Sequence, residues 1–321
     1  MSSNFKNLYT SNNPPLIATL MRGSNIESIH KIHAVITDKK GRVLMCAGNP
    51  EYKSFIRSAL KPFQAIPFVS SGAASKINNE SKSIALACGS HSGSKLHSRE
   101  AFKILWEYDI DINNLKCPKS KTSPLEHNCS GKHAAFLATC KKMNWPLDSY
   151  LKGDHPLQIE IFRIVSELLE IPSSEINAER DDCGAPTLYL KLLEMSKLYS
   201  LLSSSENAEL EQISRAMILN PIMISDNNKF DTEIIKASHG KVIGKGGAEG
   251  IQCLCKVNEG IGLALKVEDG SKRAKHAVSL HLLKQLEWIS DLRIQDIEEK
   301  VYNFSEGVRL EVKGKLKFQE S

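Results

Sequence analysis

The chain has no apolar run long enough to span a bilayer. The longest near its start, Pro15–Met21, falls far short of the roughly 20 residues a spanning helix needs. No secretory cleavage pattern accompanies it. No membrane association and a cytoplasmic location are therefore expected. Strong charge is also missing. The formal net charge is only +5 over 321 residues, and the basic residues are scattered, which argues against a nucleic-acid footprint. Glycine and proline stay at ordinary levels, and there is no internal repeat, long linker or low-complexity tract, so the chain is not a disordered one. Cysteine is sparse for a disulfide scaffold: eight residues are spread over a large chain. Free buried thiols are the default for most of them, with a metal site open for a few. What is present is a composition 41% hydrophobic and 25% charged, enough for a sizeable core. One unit over residues 1–321 is expected.

Coarse periodicity suggests the layout. His33–Asp38 and Arg42–Ala47 flank Lys-Lys-Gly as a hairpin. A turn and then a buried helix starting near Pro62 follow. Ile84–Cys88 reads as a buried strand ending in the loop GSHSG, and Leu96–Glu107 and Lys132–Lys142 read as helices. Asp154 is the expected N-cap of a helix carrying Leu157, Ile161, Ile164, Val165 and Leu168. Thr187–Leu202 and Asn207–Leu219 read as helices, the second stopped by Pro221. Ile251–Val257 and Ile261–Val267 read as paired strands, Ser271–Ile289 as a helix and Val308–Lys313 as an edge strand. Strands early and late with helices between them predict an α/β layered fold whose sheet draws on both ends of the chain.

Three stretches carry chemistry. In RSALKP (57–62), Ser58 lies three residues before Lys61. A desolvated, neutral lysine can activate a serine one turn away. Pro62 disfavours helical geometry at Lys61, but a 3₁₀ turn, in which positions i and i+3 eclipse, still brings the pair together. Spacing alone favours a solvated lysine on a helix surface. Ser225-Asp226-Asn227 matches one motif of the penicillin-recognising enzymes, but with no Lys-Thr-Gly after it the match reads as chance. In HNCSGKH (127–133), Cys129 has histidines and a lysine beside it, and Cys183 in DDCGAP sits in a similarly polar loop. Thiolates and imidazoles suit Zn²⁺. Spacing makes Cys129, His133 and Cys183 the ligand set, though two unrelated buried thiols is the reading it slightly favours. GKGGAEG (244–250) is neither a dinucleotide fingerprint nor a P-loop. It reads as a loop of close backbone approach presenting Glu249, or as an ordinary turn.

Taken together, RGSNIESIH (22–30), RSALKPFQAIP (57–67), ACGSHSG (87–93), NCSGKHAAFLA (128–138), GDHPLQ (153–158), DDCGAP (181–186), FDT (230–232), KGGAEG (245–250) and GLALKVEDGSKRA (262–274) resemble the Rhizobium-type L-asparaginases, or asparaginase II. The blocks cover nearly the whole chain in family order. Asp182 stands where the family often has glycine and Gly89 where it often has alanine. The resemblance implies an α/β/α sandwich akin to serine β-lactamases and glutaminases. It implies hydrolysis of L-asparagine by two Ser–Lys pairs, Ser58 with Lys61 and Ser90 with Lys266, and a Zn²⁺ held by Cys129, Lys132 and Cys183, so that Lys132 replaces His133 as a ligand. Asp181 is expected in the substrate pocket, with Arg57, His133 and Glu249 around it. A homodimer acting on a small molecule, without nucleic acid, is expected. The competing readings are a serine amidase for glutamine or a β-lactam-like amide, and a non-catalytic zinc-binding protein.

Overall fold

The structure, a computed structural model, describes residues 13–319 except 121 and 303. Residues 1–12, 121, 303, 320 and 321 of the expected single unit therefore lie outside the described residues. The strands are β1 (Leu16–Arg22), β2 (Asn25–Asp38), β3 (Val43–Ala47), β4 (Lys53–Phe55), β5 (Asn177–Arg180), β6 (Pro186–Lys191), β7 (Val242–Gly246), β8 (Ile251–Lys256), β9 (Ile261–Val267), β10 (Val308–Lys313) and β11 (Lys317–Phe318). The helices are α1 (Lys61–Gln64), α2 (Ile66–Ser70), α3 (Glu80–Cys88), α4 (Lys95–Trp106), α5 (Ser130–Lys142), α6 (Pro156–Leu169), α7 (Leu192–Ser203), α8 (Ala208–Leu219), α9 (Pro221–Ile224), α10 (Phe230–Ala237), α11 (Lys272–Gln285) and α12 (Asp291–Val301).

The main sheet runs β10-β1-β2-β9-β8-β7, with β3 on β2 and β11 on β3, and every pairing is antiparallel. It joins both ends of the chain, as the sequence suggests. Because strand residues alternate between faces, Leu254, Leu263 and Leu265 enter one core with Val278 and Leu282 of α11. Cys253, Cys255 and Ala264 enter the other core with Leu198 and Leu202 of α7 and the helices before it. The central strands are therefore apolar on both faces, and the architecture is a layered α/β one. Gly262 allows α7 to approach: a Cβ there would meet the Ser196 carbonyl oxygen at 2.0 Å. The Ser196 hydroxyl donates to the Gly262 carbonyl across this contact (2.8 Å).

Several local expectations change. Ile84–Cys88 is helical, part of α3, and residues 83–88 are all buried. A short run apolar on every side carries no period that separates a strand from a buried helix. Thr187–Leu202 divides into β6 and α7, because β6 is enclosed between β4 and β5 in a second, three-stranded sheet. The cap of α6 is His155, whose side chain accepts the Leu157 N–H, rather than Asp154. Pro221 opens α9 as well as ending α8, since its missing N–H costs nothing in a first turn. All eight cysteines are buried and none forms a disulfide. Among the described residues no helix is long and apolar enough to cross a membrane.

Candidate active site

The site begins where β4 ends. The Ile56 N–H donates to the Leu188 carbonyl (3.0 Å) and the Arg57 N–H to Thr187 Oγ1 (3.0 Å). Arg57 adopts φ +53°, a left-handed conformation that costs energy for residues other than glycine and, to a lesser degree, asparagine and aspartate. Its guanidinium holds it there, Nε donating to Asp181 Oδ1 (2.8 Å) and Nη2 to Asp182 Oδ2 (2.5 Å). A 3₁₀ turn over Arg57–Leu60 follows, and the Lys61 N–H closes on the Ser58 carbonyl. Ser58 and Lys61 thus sit one 3₁₀ turn apart. Lys61 itself is helical, with φ −55° and ψ −39°, despite Pro62.

Lys61 is only 1% exposed, against Ile56, Ala59, Leu60 and Phe63 of the same core. Burial pushes its amine down to about 8. The amine donates to the carbonyls of Gly89 (2.5 Å) and Asn128 (3.4 Å) and to Ser90 Oγ (2.9 Å). When neutral, it keeps two N–H donors for the carbonyls and turns its lone pair to the Ser90 hydroxyl. Ser58 Oγ has no hydrogen bond among the described residues, and Ser58 borders a cavity. Ser90 is fixed by its N–H on the Ile224 carbonyl (2.7 Å). Gly89 is required before it, because a Cβ there would meet the Met223 oxygen at 2.3 Å. His91 accepts the Gly93 N–H at Nδ1 and bonds Ser130 Oγ through Nε2 (3.1 Å each). Burial holds its imidazole well below the ordinary pKa, so this loop is pinned to α5 by a neutral ring.

Cys129 precedes α5 and Lys132 lies in its first turn. Lys132 Nζ donates to Cys183 Sγ (3.3 Å). The Cys129 thiol and the Lys132 ammonium pull the Cys183 thiol far below its ordinary pKa, while sharing that proton pushes Cys129 up. Tyr150 Oη accepts the Lys116 N–H and lies 2.7 Å from His133 Nδ1. The other nitrogen, His133 Nε2, is buried without a hydrogen-bond partner among the described residues, and burial lowers this ring to about 4. Among the described residues no three His, Cys, Asp or Glu side chains form a group able to hold a metal. Cys129 and His133 both lie beside Cys183, as Lys132 does, so the geometry brings the two thiols together with both the imidazole and the amine. Two buried thiols with a lysine amine against one of them remain a donor set suited to zinc.

A cavity of about 1100 Å³ is lined by Ser58, Ser90 and Glu249, and also by Asp231, Lys245 and Lys275. Lys266 does not join Ser90. Its amine donates to the Val267 carbonyl and to that of Glu268 (3.4 Å), and strand order explains why. Lys266 pairs with Ile251 on β8, two strands from β7, whereas Lys245 lies on β7 itself and lines the cavity with both serines. Lys245 is fully buried, 3.5 Å from Asp231 Oδ2. Burial raises the Asp231 carboxyl, but Lys245, Lys275, the Gly246 N–H and the Gln252 amide together bring it below its ordinary value. The sequence reading missed this pair, although Asp231 stands in FDT and Lys245 in KGGAEG. Lys245-Gly246-Gly247 differs from Lys-Thr-Gly by a glycine in place of the threonine, which was the available signal. Ser225 also borders the cavity, a placement the chance reading of its motif did not anticipate.

Residues 18–318 match the L-asparaginase II family, and the chain belongs to that family. No curated protein matches the sequence. Among solved structures, Mglu in its native form at 4.3 M NaCl is similar at 12% identity and TM-score 0.39, over 80% of this chain and 61% of that one. A Bacillus glutaminase has 10% identity and TM-score 0.36, over 80% and 91% of the two chains. A β-lactamase from Mycobacterium bovis has 10% identity and TM-score 0.35, over 87% and 97%. The chain thus spans about three fifths of the Mglu length. At these scores the structural likenesses carry no conclusion about activity.

Proposed function

We propose that this chain hydrolyses L-asparagine to L-aspartate and ammonia through a serine nucleophile. Membership of the L-asparaginase II family supports the reaction. The observation that carries the chemistry is the Lys61 amine, buried, lowered to about 8 and bonded to Ser90 beside a cavity that Ser58 also lines. In this reading Ser58 Oγ attacks the side-chain amide carbon, and its proton passes through Lys61 and Ser90 to the departing nitrogen. Ammonia leaves, and water, deprotonated by the same amine, hydrolyses the ester to aspartate. Lys245 takes the place foreseen for Lys266 as the second amine at the serines. Glu249 serves the substrate at the cavity wall, and the Asp181–Arg57 pair fixes the turn that carries Ser58. Ammonia release from asparagine compared with glutamine tests the substrate. A second reading, with Ser90 as nucleophile, is favoured by its bond to Lys61. Mass spectrometry of the trapped acyl-enzyme distinguishes the two serines.

Lys61 also sets a pH dependence. Its pKa is lowered by burial, so the neutral base is present above about 8 and declines about tenfold per unit below it. kcat/KM for asparagine is expected to rise with pH up to about 8 and then level. A profile flat across that range removes Lys61 from the role of base.

Cys129, Lys132 and Cys183 would hold a Zn²⁺, which when bound would supply Lewis acidity for orienting the substrate. Lys132 must lose its proton to serve as a ligand. His133, its Nε2 buried without a partner, would act beside the ligands. Lys132→Ala is expected to lose most bound zinc and His133→Ala to retain it, read by elemental analysis of the purified proteins. Loss in the His133 variant alone overturns this ligand set. The reading includes a cytoplasmic homodimer with one asparaginase domain per chain, whose mass light scattering measures.

A further inference from the structure

The cavity is far larger than asparagine requires. Volumes of about 1100 Å³ belong with drug-sized ligands. Away from the serines its wall changes character. Lys229, Lys272 and Arg273 border it and are exposed. Among the described residues none of the three is ion-paired with a carboxylate, and Arg273 donates only to Ser28 Oγ (3.3 Å). Of the carboxylates lining the cavity, Asp231 is occupied by Lys245, which leaves Glu249 as the one other carboxylate against three unpaired cations in the lining. Two stacked pairs, Tyr302 with Phe304 (5.1 Å) and Phe230 with His276 (4.1 Å), add flat apolar surface there. A positive, aromatic-walled extension continuous with a nucleophile suits a substrate that continues beyond the bond being cut and ends in negative charge.

We propose that the enzyme also cleaves asparagine derivatives whose side-chain amide nitrogen carries an acidic substituent, of which β-aspartyl-glutamate is the simplest, with Lys229, Lys272 and Arg273 receiving the carboxylates of the leaving group. This rests on the serine amidohydrolase reading above. The bond changes are the same. The serine oxygen forms an ester with the β-carbonyl carbon, the C–N bond breaks, and the proton goes to the amine of glutamate instead of to ammonia. Water then divides the ester into aspartate and free enzyme. One water is consumed per bond and nothing is oxidised or reduced.

The test uses the purified full chain with three substrates: asparagine, β-aspartyl-glutamate and β-aspartyl-lysine. The acidic dipeptide is expected to be cleaved with kcat/KM about tenfold above the basic one. The double variant Lys272→Glu/Arg273→Glu, at exposed positions where folding is not at stake, is expected to abolish or reverse that ratio. Asparagine turned over with neither dipeptide cleaved overturns the proposal and leaves the asparaginase reading standing. Equal rates on the two dipeptides, or a ratio that charge reversal does not move, also overturn it. Dipeptides cleaved with the expected ratio but asparagine untouched support it and remove asparagine as the substrate. No turnover of any of the three ends both.

Discussion

Replacing Ser58 by alanine is expected to lower asparagine turnover by about 10⁴–10⁶-fold, the usual scale for loss of a nucleophile, with little change in stability. The stability side follows from the geometry. The Ser58 hydroxyl makes no hydrogen bond among the described residues, and the turn is held by backbone contacts, with the Lys61 N–H on the Ser58 carbonyl and the Arg57 N–H on Thr187. Alanine preserves all of these. The activity side is not ambiguous, because Ser90→Ala serves as the comparison. If Ser58 is the nucleophile, its loss is the deeper one and no acyl-enzyme accumulates. A purified Ser58→Ala protein with activity near wild type, paired with an inactive Ser90→Ala, transfers the nucleophile to Ser90.

Lys61→Arg and Lys61→Met are both expected to reduce kcat by about 10²–10⁴-fold, the range of a lost general base. Arginine cannot give up its proton. It is also too large for a pocket closed by the Gly89 carbonyl, Ser90 and the Asn128 carbonyl. Methionine fills a similar volume without the amine and leaves those carbonyls without their donor, a cost of about 1–3 kcal/mol. The two variants therefore fail for different reasons, and thermal unfolding alongside kinetics tells a chemical loss from a folding loss. An arginine variant with high activity would make Lys61 a fixed positive charge rather than a base.

The identities and local spacings at the site were legible in the sequence. Ser58 and Lys61 are three residues apart, and the 3₁₀ geometry at Arg57–Leu60 sets them one turn apart along the backbone. Cys129, the N-cap of α5, and Lys132 in its first turn are likewise close along the chain. The alternation that splits β8 and β9 between two cores was also readable, because a strand has period two and both of its faces are apolar. Tertiary structure decided the pairings. The lysine that the sequence ties to Ser58 bonds Ser90, 29 residues away, because burial strips its amine of water and the Gly89–Ser90 loop supplies the nearest acceptors. It decided that Lys245 and not Lys266 borders the cavity with the two serines, since strand order, which no local pattern encodes, sets which strand carries its lysine to that wall. It decided as well that residues 84–88 form a helix and 186–191 a strand. In both segments the apolar side chains are satisfied by whatever surrounds them, and only the neighbours that pack there choose between the two backbones.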